Sequence, residues 1–194
     1  MATTKIWAIN GDIREVLRYV GNKEKTANPE YGEEQFQSLK DVMDYAVNPE
    51  KTEQEYFVSG INCDPKAARE EMLRTKRRFG KLDGRAAYHG YQSFKAGEVT
   101  ADVAHEIGVK LAQEIWGDRF QVIVATHCNT SHYHNHFVLN SVSFVDGKKF
   151  NSDCKSYFGI MRGVSDRLCR EYNISVIRPE KGGPHAKHYT EWQA

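Results

Sequence analysis

Residues 120–144 hold two strand-like runs joined by a short polar segment, and this pairing constrains the fold more than any other feature of the chain. FQVIVAT (120–126) is rich in β-branched residues and reads as a buried strand. A loop over roughly Cys128–Tyr133 leads to HNHFVLNSVSF (134–144), a second strand closed by the turn signal Asp146-Gly147. Paired as a hairpin, these two strands seed a largely antiparallel sheet.

The remaining elements extend this pattern. KIWAIN (5–10) reads as a strand, and Asp12 is a fair N-cap for a helix carrying Ile13, Val16, Leu17 and Val20 at helical spacing. Residues 21–34 read as a loop, followed by a helix expected over 34–46. YFVSGIN (56–62) and AAYHGYQSF (86–94) are further strands, and Asp64-Pro65 predicts a helix start between them. Thr100 caps a helix with Val103, Ile107, Leu111 and Ile115 as its apolar stripe, stopped at Gly117. A helix near 155–172 and a last strand, ISVIR (174–178), complete an α/β or α+β sandwich, α+β being preferred. At 194 residues the chain suits one compact domain, expected over 1–178, with the Gly-, Lys- and His-rich segment 179–194 leading toward further domains.

No stretch approaches the roughly 20 apolar residues of a membrane span. Four dispersed cysteines with no export signal read as free thiols, which favours a cytoplasmic setting. Net charge is +1, with 27 basic against 26 acidic side chains, so bulk charge does not point to a polyanion. Nucleic-acid binding would rest on local clusters such as Arg69, Arg74, Lys76, Arg77, Arg78 and Lys81, a run that reads equally as a solvated helix face.

The chemistry lies in THCNTSHYHNHFVLN (126–140). Strand alternation puts His134 and His136 on one face with Asn135 pointing away. A hairpin brings His127 opposite that pair, within reach of a common metal. Three imidazoles from two strands leave coordination positions open, as a catalytic site requires. His132, in the loop, is a fourth candidate with a supporting or solvent-facing role. One histidine near a sheet edge is ordinary; four within 127–136, two at strand spacing, favour metal binding. Nitrogen donors favour Mn²⁺ or Zn²⁺ on softness grounds, with Mg²⁺ as the further candidate.

Such a metal suits hydrolysis by bound water or phosphoryl transfer to a side chain. The second needs a protein nucleophile, and VLRYVGNKEKT (16–26) and VMDYAVNPEKT (42–52) repeat each other with Tyr19 and Tyr45 in register. A phenol titrates near about 10, so it needs help to attack at neutral pH. Tyrosines are more often packing residues than nucleophiles.

His127, His134, His136 and Asn140, in the pattern H-x6-H-x-H-x3-N, resemble the third motif of the MobP-class relaxases, which are HUH-type endonucleases. The resemblance extends through Y-V-x-N-x-E-K-T, SGINCDP (59–65), YHGYQSFKAGE (88–98), AHEIGVKLA (104–112) and SVSFVDGKKF (141–150). It implies a two-layer or three-layer sandwich whose central antiparallel sheet has five strands, and a metal-dependent nuclease that nicks single-stranded DNA at a transfer origin. It also implies a tyrosine nucleophile near the N-terminus, a 5′-phosphotyrosyl intermediate and a free 3′-hydroxyl. Ser93 would lie by the scissile phosphate, and relaxosome accessory proteins and a coupling protein would be partners in a bacterial cytoplasm. Two departures stand out. Asn129 replaces an Asp common in relatives, and the tyrosine motif is doubled, with Tyr19 preferred because it follows the first strand and its helix. A replication initiator or transposase of the same superfamily is the nearest alternative, although those commonly carry the tyrosine after the histidines. A non-catalytic single-strand-binding module is the alternative from another class.

Overall fold

A computed structural model of the chain describes residues 1–27, 57–151 and 160–177. The helix expected over 34–46, Tyr45 with it, and the segment 179–194 lie outside the described residues.

Five strands, β1 (Thr3–Ile9), β2 (Val58–Ile61), β3 (Ala87–Ser93), β4 (Val122–His127) and β5 (His134–Asn140), form one sheet in the order β1-β3-β5-β4-β2. Every neighbouring pair is antiparallel. The helices are α1 (Ile13–Val20), α2 (Lys23–Thr26), α3 (Ala68–Arg78), α4 (Ala101–Trp116) and α5 (Arg162–Glu171).

Alternation along the strands divides the sheet into two apolar faces. On one face, Val122, Val124, Phe137 and Leu139 meet the α4 stripe of Ala104, Ile107 and Leu111, with Leu168 and Cys169 of α5 behind it. Each large aliphatic or aromatic side chain fully buried here contributes about 1.5–3 kcal/mol. On the other face, Ile123, Ala125 and Val138 pack beneath Ile13 and Val20 of α1 and Ala68 and Met72 of α3. Helices on both sides make the fold a three-layer α+β sandwich. β4 is buried at every position because it lies between both layers.

Asp12 caps α1 as expected, its carboxylate accepting from Arg14 N at 2.9 Å, and Thr100 caps α4 through Val103 N. Other expectations need correction. The loop after α1 contains α2, because Asn22 accepts from Glu24 N and starts a further turn. Asp64 does not cap α3: it organises a turn through Lys66 N, and the helix begins at Ala68 with no side-chain cap. β5 stops at Asn140 rather than Phe144. Of ISVIR, the described residues 174–177 form one parallel bridge, Ala2 with Val176, instead of a strand. Within the basic run, Lys76 turns inward and donates to Arg85 O, Ala86 O and Ser141 Oγ, whereas Arg74, Arg77 and Arg78 stay exposed.

Candidate active site

The register sets the site. Ser93, His134 and His127 form one row across β3, β5 and β4, and Tyr91, His136 and Ala125 form the next. One row further down, His89 of β3 faces Val138, and Trp7 of β1 faces His89. All these side chains emerge on the sheet face that α1 covers, Ala125 and Val138 beneath the helices and Ser93, His134 and His127 at the strand ends. Asn135 points to the opposite face, where it is fully buried and bonded to Thr126, Gln92 and Ala104 O. The three predicted histidines therefore lie side by side on one face. The His127 and His136 rings lie 4.2 Å apart and the His134 and His136 rings 6.4 Å apart.

Each ring has a nitrogen committed to a neighbour, and His134 has contacts at both, its Nε2 lying 3.4 Å from Thr130 Oγ1. His127 Nε2 lies 2.9 Å from Val20 O; a carbonyl only accepts, so this nitrogen carries the proton and Nδ1 the lone pair. His134 Nδ1 lies 3.0 Å from Ser93 Oγ. His136 Nδ1 lies 3.0 Å from His89 Nε2. With the proton on His136 Nδ1, its Nε2 is left as a donor for a metal. Burial lowers the pKa of all four imidazoles: His136 to about 2, with His127 adding to the effect, and His89 to about 4. His127 and His134 shift down for the same reason. The four rings are therefore neutral at pH 7 and keep lone pairs available.

In kind, this donor set fits a divalent metal: three neutral imidazoles, each with its other nitrogen held by a partner. Its donors are not gathered at one point, and among the described residues no group of three His, Cys, Asp or Glu has that geometry. His127 in particular is engaged with the end of α1.

Tyr19 ends α1 beside this cluster. Its ring sits 5.5 Å from His127 and 5.8 Å from His136, edge-on to both, and is 49% exposed. Burial of Val20, its carbonyl bond to His127 and the Gly21 N–H to Leu17 O fix this end of the helix. Lys25 of α2 holds Nζ 4.2 Å from the Tyr19 ring centre. Its carbonyl receives Cys128 N at 2.6 Å, which ties α2 to the end of β4. These groups open onto a cleft of about 510 Å³ that Ser93, Asn129 and Thr130 also line.

Of the other predicted residues, His132 is exposed in the loop, with Nδ1 3.4 Å from Phe94 O. Asn140 is not brought to the site. It lies at the far end of β5, fully buried, with its amide donating to Met72 O and Gln121 Oε1. Sequence reasoning missed His89 and Lys25. Alternation in AAYHGYQSF already places His89 on one face with Tyr91 and Ser93, so that signal was present.

A family profile described as "Relaxase: MobA/VirD2-like, nuclease domain" matches residues 45–174. The chain belongs to this relaxase family. The match covers all three histidines and begins at Tyr45, leaving Tyr19 outside it. A "Protein rlx" of Staphylococcus aureus is 42% identical over 118 residues, covering 61% of this chain and 37% of that protein. Another from the same species is 43% identical over 123 residues, 63% of this chain and 37% of the relative. The "Group II intron-interrupted relaxase LtrB" of Lactococcus lactis subsp. cremoris (strain MG1363) is 28% identical over 219 positions, 93% of this chain and 38% of the relative. The relaxase domain thus spans less than two-fifths of the length of these curated relatives. Among its described residues, no helix is long and apolar enough to cross a membrane. Cys63, Cys128 and Cys169 are free thiols, with burial raising the first two to about 12 and the third to about 11.

Proposed function

We propose that this domain nicks single-stranded DNA at a transfer origin by attack of Tyr19 on a phosphodiester. The supporting observation is the exposed Tyr19 ring set against His127 and His136 at the mouth of the cleft. The Tyr19 Oη–P bond forms and the P–O3′ bond breaks; the phenolic proton is lost and the departing 3′-oxygen takes one up. The product is a 5′-phosphotyrosyl diester and a free 3′-hydroxyl. Because the diester count is unchanged, the strand can be rejoined by the reverse attack.

Residues of this chain divide the remaining work. His127, His134 and His136 would hold a divalent metal (Mn²⁺, Mg²⁺ or Zn²⁺), which when bound polarises a phosphate oxygen. Ser93 and His89 hold two of those rings in place through His134 and His136. Lys25 supplies positive charge beside Tyr19 for the incoming phosphate. Asn129, on the cleft wall, offers a hydrogen bond without the charge of a carboxylate. Ser93, in the row of His134 and His127, would meet the DNA backbone as well.

A second reading makes Tyr45 the nucleophile, favoured by the family match that begins there. Both tyrosines would serve if one cleaves and the other rejoins. In the full-length protein we place 1–178 as the nuclease unit and 179–194 as the link to further domains, with relaxosome proteins and a coupling protein as cytoplasmic partners.

The test is an origin-derived oligonucleotide incubated with the protein and Mn²⁺ on a denaturing gel. A 3′-hydroxyl fragment with a protein–DNA adduct is expected. Cleavage with no adduct would make water the nucleophile and end the relaxase mechanism.

A further inference from the structure

Two large aromatic side chains among the described residues are exposed, Tyr19 and Trp7, and both border the histidine cluster. Trp7 is 36% exposed on β1, an edge strand, on the same sheet face as the histidines. Its ring centre lies 4.6 Å from His89 and 6.1 Å from Tyr91, edge-on to the latter. Tyr91 lines the cleft together with His134 and His136. Lys5, two residues before Trp7 on the same face, holds its Nζ 5.9 Å from the Trp7 ring centre. α1 packs against β4 and β5, the other half of the sheet.

We infer that Trp7, with Tyr91 and Lys5, forms a stacking subsite for a base of the DNA strand whose phosphate occupies the cleft. This rests on the cleft being a single-strand site. A nucleic acid suits the surface better than a protein does. The patch offers aromatic rings with an ammonium at each side, Lys5 beyond Trp7 and Lys25 beside Tyr19, rather than a broad aliphatic area. A single strand supplies a π-face and a phosphate in every nucleotide, and stacking on an aromatic ring tolerates any base. Packing over His89 explains the inner edge of the Trp7 ring and leaves its exposed part without a role.

The experiment measures binding of the 194-residue chain, without metal, to a short oligothymidylate and to an abasic strand of equal length. The wild-type chain should prefer oligothymidylate. Trp7→Leu should weaken that binding about tenfold, as expected for loss of one stacked base, and leave abasic binding unchanged; Trp7→Tyr should restore most of it. Should Trp7→Leu fail to fold, fluorescence of the wild-type chain replaces it. Emission that oligothymidylate quenches, that the abasic strand does not, and that loses this difference in Trp7→Tyr assigns the stacking to Trp7. Equal losses for both strands, no loss for either, or base-independent emission would overturn the subsite. No nicking is read here, so an absent adduct beside base-dependent binding overturns the nicking reading alone. An adduct beside base-independent binding overturns this subsite alone.

Discussion

His136 Nδ1 lies 3.0 Å from Nε2 of His89, a contact between neighbouring strands that joins a half-buried imidazole of the cluster to a residue outside the motif. A metal-binding histidine needs its second nitrogen held so that the first presents a lone pair. In the proposed metal site His89 would be the group that holds it.

Replacing His89 by Phe keeps a ring beneath Trp7 and removes the nitrogen. Affinity for Mn²⁺, read by titration calorimetry, should fall about 10–100-fold, with the thermal midpoint little changed. Unaltered affinity would mean that something else orients His136.

Gly108 of α4 tests how tightly the histidine strand is held. A Cβ there would come within 2.5 Å of Asn135 Nδ2, the side chain between His134 and His136 on the opposite face. Asn135 is itself fixed by Thr126, Gln92 and Ala104 O, so it has little room to give. Gly108→Ala should cost about 1–3 kcal/mol by overpacking, seen as a lower midpoint in urea, despite the better helix propensity of alanine.

His105 bridges Ser59 Oγ at 2.7 Å and Thr126 Oγ1 at 2.8 Å, and burial lowers its pKa to about 4. The unfolded chain, with an ordinary histidine near 6.5, takes up the proton first as pH falls. Stability from neutral His105 is therefore complete above pH 6.5 and is lost as pH drops toward 4, by at most about 3 kcal/mol. His105→Gln should flatten part of the acid side of the stability profile; an unchanged slope between those pH values would contradict it.

Lys76 donates from inside the fold to Arg85 O, Ala86 O and Ser141 Oγ. Lys76→Met removes a donor from all three acceptors and should destabilise by about 1–3 kcal/mol, whereas Arg77→Met on the exposed face should fall within about 0.5 kcal/mol. Equal effects at both positions would show that the buried contacts contribute nothing.

These residues also mark what the sequence makes legible. His127, His134 and His136 were predictable as a set because alternation and a hairpin are local, and the pairing of His127 with His134 follows from a short connection. Alternation shows the face His89 occupies but not its contact with His136, which lies 47 residues away and depends on the tertiary β3–β5 register. Lys76 hid within a basic run whose periodicity does not show which member turns inward. The four-residue α2, which carries Lys25, gives almost no periodic signal and is held by Asn22 and by Cys128. Asn140 matched a motif, yet its strand carries it to the opposite end of the sheet from the histidines.

The most direct test of the chemistry is peptide mapping of the trapped protein–DNA adduct by mass spectrometry, using the origin oligonucleotide and Mn²⁺. The expected modified peptide contains Tyr19, and Tyr19→Phe should abolish the adduct while Tyr45→Phe leaves most of it. A phosphonucleotide on Tyr45 alone, or on a residue away from the histidine cluster, would contradict attack by Tyr19.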